Sequence, residues 1–318
     1  MTHSTVDGYC QDPFKVEPLY RRILSNRIWR VLVGGALLAL VIIAAVIYVR
    51  GVRQSATPIS VLTTDDFHAL AISPDDPAVV FFGHHNGLLQ SIDGSRTWRT
   101  LISRRNFDVM GLAINPANPQ QVYATGHYVF QVSEDGGGSW QEITHDLPNI
   151  DIHGFAMSLE DPSRLFAYVY ANGLFTSADG GYHWEKLDNQ LPDDVMVLAM
   201  STRDTLFAGS MTKGLLQSSD GGLTWVPNNQ DLGSAMVTGL AVDPIKPDTL
   251  YVGTGDGLYR SDDRGQKWRK LPYPGKNVAV VAVNSGEPRI VLAVEAAGPR
   301  QGLVYRSEDG GETWGDHR

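Results

Sequence analysis

Six times in this chain a serine, an aspartate two residues on and a glycine-rich turn are closed by a tryptophan at the eighth position. The copies are SIDGSRTW from Ser91, SEDGGGSW from Ser133, SADGGYHW from Ser177, SSDGGLTW from Ser218, SDDRGQKW from Ser261 and SEDGGETW from Ser307. Their starts lie 42, 44, 41, 43 and 46 residues apart. A unit of that length cannot bury its apolar face alone, so the period selects a repeat architecture in which neighbouring units cover one another. Of the seven tryptophans only Trp29 lies outside a box, which assigns the other rings to the repeat and not to a ligand platform.

Each unit carries the same segments. In the fifth, an alternating VTGLAV meets a DPIKPD turn, then TLYVGT, a glycine break, GLYRS, the box and KWRKL, which reads as four strands. The register repeats from Phe67, Val109, Ile152, Val195 and Val278, with Pro77, Pro119, Pro162, Pro247 and Pro288 in the first turn and Thr205 in the fourth unit. Six four-stranded antiparallel units predict an all-β fold, a six-bladed β-propeller. The box then falls between third and fourth strands, where Ser and Asp bond the turn, glycines supply positive φ and Trp covers it. Asp93, Asp135, Asp179, Asp220, Asp263 and Asp309 are therefore structural. The last unit offers only TWGDHR for an outer strand of five or six residues, while TPISVLT at 57–63 has no unit of its own. That segment is expected to complete the last blade and close the ring, removing an open edge.

Residues 31–49 are uncharged and mostly apolar between Arg30 and Arg50, enough to cross a hydrocarbon core of roughly 30 Å, so a single transmembrane helix is expected. Lys15, Arg21, Arg22, Arg27 and Arg30 precede it and only Arg50 and Arg53 follow closely, which places the N-terminus in the cytoplasm and the propeller outside. The expected organisation is a cytoplasmic segment 1–30, the helix 31–49, a linker and closing strand 50–62, and the propeller 63–318. Removing the six basic and three acidic residues of the first fifty leaves 20 basic and 32 acidic, a net charge near −12. Such a surface repels nucleic acid. The only cysteine, Cys10, lies before the helix, so packing and not disulfides must hold the propeller.

The pattern S-x-D-x-G-x-x-W resembles the Asp-box, or BNR, repeat over residues 64–318, with Ser95 in place of the box glycine in the first copy. Propellers with this repeat include sialidases, some endoglucanases, sortilin-type receptors and photosystem II assembly factors. FHALAISPDDP, YATGH and DIHGFAMS are most similar to bacterial BNR-repeat, sialidase-like or glycosyl-hydrolase-like proteins. The resemblance implies the fold; it does not carry one activity. A sialidase would need an Arg-Ile-Pro motif in its first blade and an arginine triad, whereas the nearest string, EPRIVL at 287–292, lies in the last blade with the order inverted.

In a propeller, the loops entering the first strands and those joining second to third strands share one face. Aligned there are Asp66-Phe67-His68, Asp108-Val109-Met110, Asp151-Ile152-His153, Asp194-Val195-Met196, Met236-Val237-Thr238 and Asn277-Val278-Ala279. His84, His85 and His127 reach the same face from the second strands, so His68, His84, His85, His127, His153, Asp66, Asp108 and Asp151 form the candidate ligand-binding set. Imidazole with thioether or carboxylate suits copper or zinc, with His68, His85, His127 and His153 as the candidate metal ligands, although the fold requires no cofactor. Packing between blades is the competing explanation for these histidines. Arg104 and Arg105 make a basic spot on that face. The functional expectation is a membrane-anchored extracytoplasmic module that binds a protein partner or envelope complex. The alternatives are a glycoside hydrolase acting on glycans through the loop-face aspartates, and a metal-binding propeller.

Overall fold

The computed structural model describes residues 31–43, 57–188, 190–202, 204–232, 236–284, 286 and 289–316. Ser218 illustrates how each box makes its turn. Its hydroxyl donates to Asp220 Oδ1 (2.8 Å) and accepts the Gly222 amide (2.8 Å). Asp220 in turn accepts the Thr224 amide at Oδ1 (2.9 Å) and the Thr224 hydroxyl at Oδ2 (2.6 Å). The serine-to-aspartate bond recurs in all six copies. Gly221 and Gly222 take φ of 73° and 95°, and the copies that depart from glycine still adopt this conformation, at Ser95 (73°) and Arg264 (59°). An L-residue there costs roughly 1–2 kcal/mol.

These bonds hold the box carboxylates in their charged form. Hydrogen bonds from Thr224 and Ser218 pull Asp220 down to about 2. At Asp93 partial burial acts to raise the value but is outweighed by bonds from Thr97, Ser91 and Arg96, again to about 2. A carboxylate whose folded pKa lies below its unfolded value stabilises above that unfolded value, and the contribution is lost as pH falls through the folded one. The melting temperature is expected to fall between about pH 4 and 2, less steeply in Asp220→Asn. A melting temperature constant across that acid range would contradict this.

Among the described residues, twenty-four strands form six four-stranded sheets. The innermost strands are Ala69–Ile72, Asp108–Ile114, Ile152–Met157, Val195–Thr202, Val237–Val242 and Val278–Val283. Each touches the next around the ring, blade six against blade one included. Second strands such as Leu165–Val169 and Thr205–Ser210 are buried throughout, and Phe166, Phe207 and Tyr251 fill the seams between blades. Blade one keeps a five-residue outer strand, Arg99–Ser103, but in blades two to five the outer strands are shorter than the repeat suggests. Gln141–Glu142, Glu185–Lys186, Val226–Pro227 and Arg269–Lys270 have two residues each, all exposed, and an edge so short offers little template for foreign strands.

The sixth blade takes its outer strand from the other end of the propeller sequence. Ser60–Leu62 pairs antiparallel with Gln301–Ser307, with Val61 opposite Leu303. The same strand bonds blade one, where Ser60 Oγ donates to the Ser95 carbonyl (2.6 Å) and accepts Trp98 Nε1–H (3.1 Å). Elsewhere the boxes also stitch blades together. The Tyr123 hydroxyl donates to the Gly180 carbonyl (3.3 Å) and that of Tyr251 to the Gly310 carbonyl (3.1 Å), each reaching the box of the next blade.

Residues 1–54 and 55–318 form separate units. Of the first, the described part is a helix over residues 31–43, exposed along its length. No described helix is long and apolar enough to cross a membrane. Residues 44–49 of the expected span, the segment 1–30 and the linker 50–56 lie outside the described residues.

Candidate functional site

In a four-stranded blade the approach to the first strand and the hairpin between second and third strands lie at one end, and the box at the other. Blades one to three bring most of the expected residues together at the first end. Asp108 stands at the centre, its side chain 4% exposed. Its Oδ2 lies 3.0 Å from His85 Nδ1 and 3.1 Å from His127 Nδ1, and its Oδ1 lies 3.3 Å from His68 Nε2. The far side of the His127 ring faces blade three, with Nε2 3.0 Å from Asp151 Oδ1 and 3.0 Å from His153 Nε2. His153 Nε2 is 3.1 Å from the same Asp151 oxygen. Asp66 sits at the margin, 3.9 Å from His68 Nε2.

The four histidines expected to share one metal therefore divide into two groups, Asp66 with His68 and His85, and Asp151 with His127 and His153. Asp108 joins them. His84 belongs to neither group: its Nδ1 accepts the Asn86 amide (3.3 Å) and its ring stacks on Phe82.

Backbone irregularity aims these side chains. Five of the six inner strands carry a register shift near their start, passing over Met110, His153, Met196, Thr238 and Ala279, and Val195–Thr202 carries a second between Met200 and Thr202. A bulge leaves the residue passed over unpaired and redirects its side chain. His68, Met110, His153, Met196 and Thr238 line a central cavity of about 90 Å³ together with Leu70, Leu112 and Phe155. Thr238 is committed to structure, its hydroxyl donating to the Val278 carbonyl (2.5 Å). In blade two the ladder runs one pair further, Asp108 opposite His127, and His127 also bridges to Asp151 of blade three.

Burial and charge act in opposite directions across the cluster. Burial lowers the His68 and His153 values against the pull of Asp108 and Asp151 respectively, and lowers that of His84. The hydrogen bond to Asp108 raises that of His127 despite burial. At Asp108 burial acts to raise the value but is outweighed by the bond from His127 and the charges of His68, His127 and His85. The site can hold a cation or a network of shared protons.

Two residues outside the expected set flank the cluster. Tyr128 is 76% exposed in a left-handed conformation, φ 58°, and Tyr170 is 47% exposed with its ring stacked on His153 at 5.1 Å. Their amides bond the Ile150 and Asp151 carbonyls, each at 2.8 Å. The signal in the sequence was the hairpin tip, where GHYV and YVYANG carry a tyrosine and the fifth unit has GTGDG. Arg104 and Arg105 are exposed, and the Arg104 guanidinium lies 5.0 Å over the Phe107 ring. His183, at the box end, pairs with Asp179 at 2.6 Å.

Residues 180–317 match the family model of the photosynthesis system II assembly factor YCF48. Over 106 residues the chain is 35% identical to the xyloglucanase Xgh74A of Acetivibrio thermocellus, a match covering 26% of this chain and 12% of that enzyme. The chain thus spans a small fraction of that curated relative. Among solved structures, YCF48 bound to a D1 peptide aligns with 80% of this chain and 84% of its own at a TM-score of 0.50 and 20% identity. YCF48 from Cyanidioschyzon merolae gives 82% and 87%, TM-score 0.50 and 17% identity. The GH74 xyloglucanase from Xanthomonas campestris gives 81% and 46%, TM-score 0.53 and 17% identity. Likeness at this identity establishes the fold alone.

Proposed function

We propose that this six-bladed propeller of Asp-box repeats is a membrane-anchored, extracytoplasmic module that seats a protein partner on the loop face of blades one to three. The observation that carries this reading is the pair of exposed tyrosines beside the His–Asp cluster. Tyr128 holds a bulky ring outward at a left-handed corner where a smaller residue would cost less, and exposed tyrosines beside fixed polar groups are the anchors protein interfaces favour. The peptide held by the YCF48 structure supports a protein partner here, and the apolar run at 31–49 supports the anchor.

Reversible crosslinking in native membranes tests this. Tyr128→Ala with Tyr170→Ala is expected to lower recovery of the partner by about 30-fold, the scale of one interface hot spot, while Tyr182→Ala, 55% exposed at the box end, leaves recovery unchanged. Equal recovery from all three contradicts the proposal. The xyloglucanase match favours a second reading, a glycoside hydrolase. Xyloglucan turnover that disappears in Asp151→Asn would decide for it.

A further inference from the structure

We propose that His127 Nε2, His153 Nε2 and Asp151 Oδ1 are the protein ligands of a zinc ion, held across the seam between blades two and three with a fourth position open. The three atoms form a nearly equilateral triangle with sides of 3.0, 3.0 and 3.1 Å. Tetrahedral ligands on bonds of about 2.0–2.1 Å stand roughly 3.3 Å apart. The chain therefore presents one face of a tetrahedron at close to the required size.

Hydrogen bonds account for only part of this triangle. Asp151 Oδ1 is enclosed, with two imidazole nitrogens within 3.1 Å of it. A neutral His127 places its one ring proton on Nδ1, towards Asp108 Oδ2 at 3.1 Å. Its Nε2 then offers a lone pair to His153 Nε2 at 3.0 Å and stands 3.0 Å from Asp151 Oδ1, so a single His153 proton can join only one of the three pairs. Three electron-rich atoms that converge in this way are matched by a cation bound to all of them.

The surroundings are those a metal site needs. A ligating histidine usually donates its other ring N–H to a carboxylate, which fixes the tautomer and raises ligand basicity, and Asp108, buried to 4% exposure, occupies that place behind His127. Tyr170 stacks on the His153 ring at 16° between planes and holds its orientation. The bulge at His153 and the bridge between His127 and Asp151 fix both backbones. Two imidazoles and one carboxylate with an open position suit Zn²⁺, which accepts tetrahedral N and O donors without a redox demand. The second group, Asp66 with His68 and His85, is looser, with 3.9 Å between Asp66 Oδ2 and His68 Nε2, and takes no part. The inference does not depend on the partner proposed above.

The test uses the full chain, stripped with chelator and titrated with ZnCl₂, then with CoCl₂ as a spectroscopic probe. One zinc per chain and the intense visible absorption of tetrahedral Co²⁺ are the expected results for the unaltered protein. His153→Gln and Asp151→Asn should abolish stoichiometric binding, and Asp108→Asn should weaken it about 10–100-fold, as loss of a carboxylate behind a ligating histidine does. His183→Gln, at the box end, should bind as the unaltered chain does. Absence of binding to the unaltered chain, or equal loss in His183→Gln, overturns the assignment and makes the cluster a network of shared protons.

Discussion

Deleting residues 57–63 is expected to lower the melting temperature of the propeller by roughly 10 °C or more, with loss of the sharp single transition. Leu62 is 1% exposed and packs with Phe82, Val280, Val294 and Val304, drawn from blades one and six. Truncating such a residue to alanine costs roughly 3 kcal/mol, which in a domain of this size is about 6–12 °C. The deletion removes in addition the pairing with Gln301–Ser307 and the Ser60 bonds to the Ser95 carbonyl and Trp98. Leu62→Ala and the deletion should therefore rank in that order. Val61→Ala, at a position 50% exposed, should lie within about 0.5 kcal/mol of the parent chain. Calorimetry checks all three, and an unchanged deletion variant would mean that the ring holds without this strand.

Gly126→Ala is expected to be the most disruptive single-methyl addition in the second blade, at a cost of roughly 3 kcal/mol or more. Gly126 faces the bulged part of the first strand, where a Cβ would overlap the Asp108 carbonyl oxygen and approach the Met110 amide to 2.8 Å. Both are backbone atoms, so no rotamer change relieves the overlap and the Asp108–His127 pair must separate. Gly255→Ala provides the comparison. Its Cβ would meet only side-chain atoms, Asn277 Oδ1 at 3.8 Å and Met236 Cε at 3.9 Å, and lower freedom in the unfolded chain offsets the remaining cost. Denaturant unfolding should separate the two variants clearly, and equal midpoints would refute the close-approach argument.

What the sequence made legible was whatever a local pattern encodes. The box is local: serine, aspartate and glycine satisfy one another within eight residues, so six copies identify the blades and their register. The same register brings His68, His85, His127 and His153 to one face. It could not divide them into two groups, because the division depends on Asp108. The aspartate aligns with Asp66 and Asp151 in sequence, yet only it is deeply buried. Burial of that kind is a product of neighbouring blades. The bulges were equally hidden, since passing over Met110 or His153 leaves the alternation of apolar residues almost intact. The two-residue outer strands follow from edge exposure, which the repeat template does not encode. Tyr128 and Tyr170 stand at hairpin tips whose residues vary from unit to unit, so the repeat does not mark them.

The central claim is that the loop face of blades one to three is where a protein partner docks. A benzophenone amino acid placed at position 128, and separately at position 182, in the full chain in intact cells puts the claim to its most direct test. Irradiation from position 128 should give one discrete covalent adduct with another protein, reduced when Tyr170→Ala is introduced, while position 182 gives none above background. Adducts of equal yield from both positions, or adducts from position 182 alone, would place the partner elsewhere and contradict the account.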